Sequence, residues 1–137
     1  PGALDRESLR SQLESKDAAR RLAAAEALRR ADDLSGMSVV IALVRTPNPV
    51  RWQAADALGA YRTDEVVEPL LVAMTCDDPT VRTYASSSLS NVLRTLFPYR
   101  RLDFESAGYR TDADAASQSR AVETIRRWWL DHRGRSW

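Results

Sequence analysis

Cysteine and histidine occur once each in the 137 residues, as Cys76 and His132. A disulfide within the chain is therefore excluded, and with it a zinc site of about four closely spaced Cys/His ligands. A Cys/His nucleophilic pair would have to be assembled from distant segments. Cys76 ends an apolar segment after Met74 and Thr75 and reads as a buried or half-buried small hydrophobe. His132, between Asp131 and Arg133, reads as a positive charge suited to a helix end. Five glycines and six prolines are too few for a collagenous or low-complexity chain. No apolar run approaches the ~20 residues of a membrane span, and no basic, apolar and small-residue sequence of a signal peptide stands at the start. The chain opens on Pro1 rather than methionine, so a trimmed piece is expected, and a cytoplasmic location is the default expectation from the lack of disulfides.

An excess of charge of one sign is missing too. Lys16 is the only lysine, and 19 arginines face 12 aspartates and 7 glutamates for a formal net charge of +1. Nothing global draws the chain to nucleic acid or to an anionic membrane. By segment, residues 1–45, 46–99 and 100–137 carry +1, −2 and +2. The C-terminal arginines Arg100, Arg101, Arg120, Arg126, Arg127, Arg133 and Arg135 offer a patch to an anionic partner, but six interleaved acids make a solvated mixed-charge face the simpler expectation.

What is abundant is alanine, at 20 positions against two phenylalanines. Small side chains in that number suit helices packed close together. Helical periodicity runs through most of the chain and strand alternation is nearly absent, which predicts an all-α fold. An opening helix is expected from about Leu4 to Glu14, then one from Asp17 as N-cap through Arg30, broken by Gly36. Met37, Val40, Ile41 and Val44 form one helical stripe. Asn48 and Pro49 signal the start of a helix to about Ala60, and Asp78 and Pro79 repeat the signal for a helix to about Leu96. Between them, Thr63 or Asp64 caps a helix over Glu65–Thr75, with Val67, Leu70, Leu71 and Met74 inward, Glu65, Glu68 and Val72 outward, and Pro69 shifting or kinking the first turn. Residues 97–115 hold Pro98 and Gly108 but no helical stripe and read as a long loop anchored by Tyr99, Phe104 and Tyr109. A last helix is expected from about Ala116 to Arg133, stopped by Gly134.

Three segments are alike. Arg21–Leu28 aligns with Arg51–Leu58 and Arg82–Leu89 at steps of 30 and 31 residues, repeating arginine, alanine, a small residue and leucine at fixed offsets. A two-helix unit of this size cannot bury its own apolar face, and stacked neighbours complete the core. Asn48-Pro49-Val50-Arg51 through Leu58-Gly59, and Asp77-Asp78-Pro79-Thr80-Val81-Arg82 through Leu89, resemble HEAT-like repeats of the short bacterial type found in phycobilisome-lyase-like proteins. The first copy, Lys16-Asp17-Ala18-Ala19, lacks the proline and valine, as a terminal capping repeat would, and the third replaces alanines with Ser86, Ser87 and Ser88. Tyr109 through Trp129 resembles terminal units in which a Tyr-x-x-Asp loop leads into a helix with a tryptophan pair.

The resemblance implies a right-handed α-α superhelix, an α-solenoid of about three helical hairpins preceded by an N-terminal helix and carrying a long loop before the last helix. The expected organisation is one domain over residues 1–137: a helix at 1–15, then repeats at 16–46, 47–76 and 77–133, the last with residues 97–115 inserted. Arg21, Arg51 and Arg82, with Leu28, Leu58 and Leu89, are expected as structural repeat positions, the arginines bonding carbonyls and carboxylates such as Asp17, Asp56 or Asp78 at the seams. A non-enzymatic scaffold is the expected function, binding a protein partner or a neighbouring domain of the same polypeptide through a slightly concave face of second helices. Glu65, Glu68, Val72, Arg126, Arg127, Trp128 and Trp129 are the candidate contacts. Trp128 and Trp129 point about 100° apart on a helix. One joins the stripe of Val122 and Ile125, and the other, like Trp52 and Trp137, lies at the margin, as an anchor or under the long loop. A nucleic-acid-binding HEAT-like domain is the alternative, and a bilin-lyase-like subunit a lesser one. No cofactor is expected, since no nucleophile has a base beside it and neither metal spacing nor a phosphate-cradling loop occurs. Asp112 and Asp114, on an exposed loop, lack the desolvation that acid catalysis would require.

Overall fold

The computed structural model describes residues 5–100 and 102–133. Among them are seven α-helices and no strand: α1 (Arg6–Gln12), α2 (Ala18–Arg30), α3 (Met37–Arg45), α4 (Arg51–Leu58), α5 (Val67–Ala73), α6 (Pro79–Leu96) and α7 (Ala115–His132). A 3₁₀ turn, Asp64–Val66, leads into α5.

Aspartates start four of the helices. The Oδ1 atoms of Asp5, Asp17, Asp78 and Asp114 accept from the N–H groups of Ser8 (2.7 Å), Ala19 (3.0 Å), Thr80 (2.9 Å) and Ser117 (2.7 Å). Each satisfies a donor that a first turn leaves orphaned. Pro79 stands in the first turn of α6, where its missing N–H costs nothing. At the equivalent earlier site α4 starts at Arg51, two residues after Pro49, and ends at Leu58 rather than Ala60. Asn48 bridges the turn there: Oδ1 accepts from Val50 N at 2.9 Å while Nδ2 donates to Leu43 O and Thr46 O, both at 2.8 Å.

Three other boundaries correct the sequence expectation. The helix expected over Glu65–Thr75 is split, because the 3₁₀ turn takes its first residues and Pro69 falls in the first turn of α5, where no N–H is missed. Helix α2 is stopped before Gly36, by Asp32 at φ 60°: Asp33 N donates to Leu28 O and Asp32 N to Arg29 O, both at 2.9 Å, a Schellman turn with aspartate in the left-handed position. Gly36 instead opens α3 at a close approach, since a Cβ there would lie 2.7 Å from Ala25 Cβ on α2. Helix α1 ends at Gln12, short of Glu14. Leu4 and the expected terminator Gly134 lie outside the described residues.

The helices form two layers. First helices α2, α4 and α6 and second helices α3, α5 and α7 meet across the layers, α2 with α3, α3 with α4, and α5 with α6. Within layers α4 packs on α6, α3 on α5 and α5 on α7, while α1 covers α2. The core is small and aliphatic: Val40, Val44, Leu58, Leu70, Leu71, Met74, Leu89 and Ile125 are fully buried, as are Ala25, Ala54, Ala55 and Ala85. Leu28 is buried with Leu9 and Ala24 in a smaller cluster under α1. At the other end the loop after α6 covers the stack. Phe97 and Tyr109 are buried, Leu102, Phe104 and Ala107 pack on the core, and Tyr109 donates to Met74 O at 2.7 Å. Tyr99, expected as an anchor, is 82% exposed. It follows Pro98 directly after α6, and Phe97 fills the position against the core.

Candidate functional site

The recurrent arginines grip backbone. Arg21 Nη1 donates to Ser15 O at 2.7 Å, Arg51 Nε to Val44 O at 2.8 Å and Arg82 Nη1 to Cys76 O at 2.9 Å. In each copy the carbonyl lies six or seven residues earlier, in the end of the preceding helix or the turn after it. Arg82 also reaches Thr111 O, from Nε at 3.2 Å and Nη2 at 3.0 Å, and so ties down the long loop. The carboxylates Asp17, Asp56 and Asp78 are not their partners, because Asp17 and Asp78 are engaged in capping α2 and α6 and Asp56 stands exposed on α4. Leu28, Leu58 and Leu89 have no exposed surface.

On the second-helix layer the seven candidate contacts separate into two groups. Glu68 and Arg126 bind each other across α5 and α7: Arg126 Nη2 donates to Glu68 Oε1 at 2.7 Å and Nε reaches both carboxylate oxygens at 3.1 Å. Glu123 takes Nη1 at 2.5 Å, and these carboxylates, Glu68 first, push the Arg126 pKa up. Trp129 is buried, its indole N–H donating to Asp64 Oδ1 at 2.6 Å, and Arg133 lies over its ring, 5.0 Å from the centroid, with Nη1 3.7 Å from Asp64 Oδ2. Trp128 is half-buried, stacked on His132 with ring centroids 4.2 Å apart and set edge-on to Phe97. Glu65, Val72 and Arg127 are exposed.

Of these, Glu65 borders a groove. Ser38, Ile41, Ala42 and Arg45 of α3, with Thr46, form one wall, and Glu65 of the 3₁₀ turn and Pro69 of α5 the other, around about 460 Å³. Positions 38, 41, 42 and 45 of α3 follow the spacing of three and four that puts residues on one helix face. Ile41, expected with the core stripe of α3, is at the edge of this groove, and Leu43 takes its buried place. The α3 wall escaped sequence reasoning, although its exposed spacing was visible there.

Other candidate chemistry is spoken for locally. Among the described residues no three His, Cys, Asp or Glu side chains are grouped to hold a metal ion. Cys76 is half-buried with Sγ 3.6 Å from Asp78 O. Hydrogen bonds from Arg110 hold the Asp112 carboxyl below the usual range, and Ser117, at the N-terminus of α7, does the same for Asp114. Of the C-terminal arginines, Arg120 donates to Ser117 Oγ at 3.1 Å, while Arg101 and Arg135 lie outside the described residues, as does Trp137.

A family model for HEAT repeats matches residues 6–90, more than half of the chain. The chain belongs to the HEAT-repeat family. No curated protein and no solved structure matches it. HEAT repeats are in general protein-interaction scaffolds, and the family is typically non-enzymatic. The matched HEAT segment spans α1 to the middle of α6, so both groove walls fall inside it, while the loop and α7, with Arg126, Arg127, Trp128 and Trp129, follow it. No helix among the described residues is long and apolar enough to cross a membrane.

Proposed function

We propose that this HEAT-repeat chain is a non-catalytic docking module that holds another protein, or a neighbouring domain of its own polypeptide, on the second-helix face. The groove between α3 and α5 carries the proposal. It joins apolar surface from Ile41 and Ala42, beside the buried Pro69, to charges at its lips, Arg45 and Glu65, and Val72, 52% exposed, stands three residues further along α5. An apolar centre with a polar rim is the composition of a protein interface. Glu65, Val72 and Arg127 act as contacts in this proposal, whereas Glu68, Arg126 and Trp129 hold α7 at the angle that shapes the face. The units 16–46, 47–76 and 77–133, with α1, work as a single stack.

Ala42→Glu and Val72→Arg place charges on exposed positions, so Tm should stay within about 2 °C, as for surface substitutions generally. Co-purification of the partner from a tagged full chain should be lost. Partner recovery undiminished in the double variant would refute the site. A labelled duplex shifted at low salt, with affinity falling steeply as salt rises, would favour a nucleic-acid ligand instead.

A further inference from the structure

On the opposite layer, α4 packs closely on α6 but barely touches α2. The repeat explains the difference. Trp52, one residue after the recurrent arginine of α4, stacks on Tyr84, two residues after that of α6, with ring centroids 4.5 Å apart. The same offsets one repeat earlier are occupied by Leu22 and Gln53, which line an open space between α2 and α4 where the later copies have the aromatic pair. A groove of about 470 Å³ opens between α2 and α4, floored by Leu22, Ala23, Trp52 and Ala57. Glu26 and Asp56 stand on its two sides, each five residues after its repeat's arginine. At that offset in α6 the residue is Ser87, so the acidic pair belongs to this groove alone among the three copies. Gln53 lines the groove as well, and its Oε1 is buried without a hydrogen-bond partner.

We propose that the α2–α4 groove is a second docking site, and that it takes a helical segment of another protein presenting a bulky apolar side chain beside an arginine or lysine. Charge complementarity selects that occupant. Two carboxylates flank apolar lining, and Arg30, the cation among the lining residues, meets Glu26 in an exposed pair at 3.4 Å that contributes little and can be displaced. The indole of Trp52 adds a ring face suited to a guanidinium. An amphipathic helix laid in a groove is a recurrent mode of peptide recognition. The site lies on the layer opposite the α3–α5 groove, so the module would hold two partners at once.

The test uses the full ¹⁵N-labelled chain and a designed helical peptide with leucines at i and i+4 and arginine at i+3, beside its glutamate counterpart. The arginine peptide should shift the amides of Ala23, Gln53 and Asp56 and the Trp52 indole, and the glutamate peptide should leave them unmoved. Asp56→Lys should weaken binding about tenfold or more, and Ala23→Trp, which fills the groove from an exposed position, should abolish it. Ala42→Glu with Val72→Arg should leave it intact, which separates failure here from failure of the second-helix site. The proposal is overturned if both peptides bind alike, if the shifts map to α3 and α5, if the arginine peptide does not bind, or if sedimentation shows a dimer that Ala23→Trp dissolves.

Discussion

Arg82→Ala removes three hydrogen bonds from a charged donor, one to Cys76 O and two to Thr111 O. Such bonds contribute about 1.5–3 kcal/mol each when buried. Here the site is half-buried, and two of the bonds share Thr111 O, which Gln118 Nε2 also reaches at 3.1 Å and continues to satisfy. A loss of about 2–3 kcal/mol is expected, against about 1 kcal/mol for Arg21→Ala or Arg51→Ala, each of which gives up a single carbonyl at the solvent margin. For a chain of this length that corresponds to a fall in Tm of about 10 °C for Arg82→Ala and about 4 °C for the other two. Arg82→Lys should restore about half, since a point charge on a flexible stem serves one carbonyl where the planar fork serves two. Thermal and urea unfolding followed by circular dichroism at 222 nm measures all four. Equal losses in the three alanine variants would refute the carbonyl contacts as the reason for these arginines. So would an unchanged Tm in all three.

Gly36→Ala should cost about 1–3 kcal/mol in urea unfolding, because the new Cβ would sit 2.7 Å from Ala25 Cβ and 2.8 Å from its Cα; Ala25→Gly in the same chain should recover part of the loss. Asp32→Gly should stabilise by about 0.5 kcal/mol, relief of left-handed strain being partly offset by glycine's unfolded-state freedom, and a lower Tm would contradict the turn geometry. Burial pushes the phenols of Tyr61 and Tyr109 up to about 12, so the fold favours their neutral forms. Their stabilising effect is complete below the ordinary value of 10.0 and is lost as pH rises toward 12. Absorbance at 295 nm should show these two tyrosines ionising together with loss of helix, and their ionisation near pH 10 in an intact fold would count against the packing.

Most of the fold was legible because its determinants are local. Asp17 and Asp78 sit where a cap must sit, the Arg21, Arg51 and Arg82 copies mark the period, and the inward set of Val67, Leu70, Leu71 and Met74 follows from spacing alone. Features set by contacts between distant segments were not. Glu68 and Arg126 are 58 residues apart, and nothing in either neighbourhood announces that they will meet. The seam arginines were legible as positions and as partners of carbonyls, but not in which acceptors they leave alone, since Asp17 and Asp78 are taken up by the helix N-termini. Both grooves are matters of what fails to touch, and a gap between helices depends on side-chain volumes across a boundary, such as Gln53 standing where Tyr84 stands one repeat later.

The bonds that hold α7 to the turn before α5 and to α5 itself have a mechanical meaning. Trp129 to Asp64 and Arg126 to Glu68 close stretches of 65 and 58 residues, whereas Arg21 and Arg51 close only six and seven. Pulled from its ends, the chain would yield six or seven residues of length as each of these arginine clamps opens, and up to 36 as Tyr61 leaves the Ala25 carbonyl. Release of the α7 clasp would free the enclosed chain in one step of roughly 200 Å, at about 3.4 Å per extended residue. The last unit is therefore the latch of the stack, and tension transmitted by a bound partner would be held there until it gives way all at once.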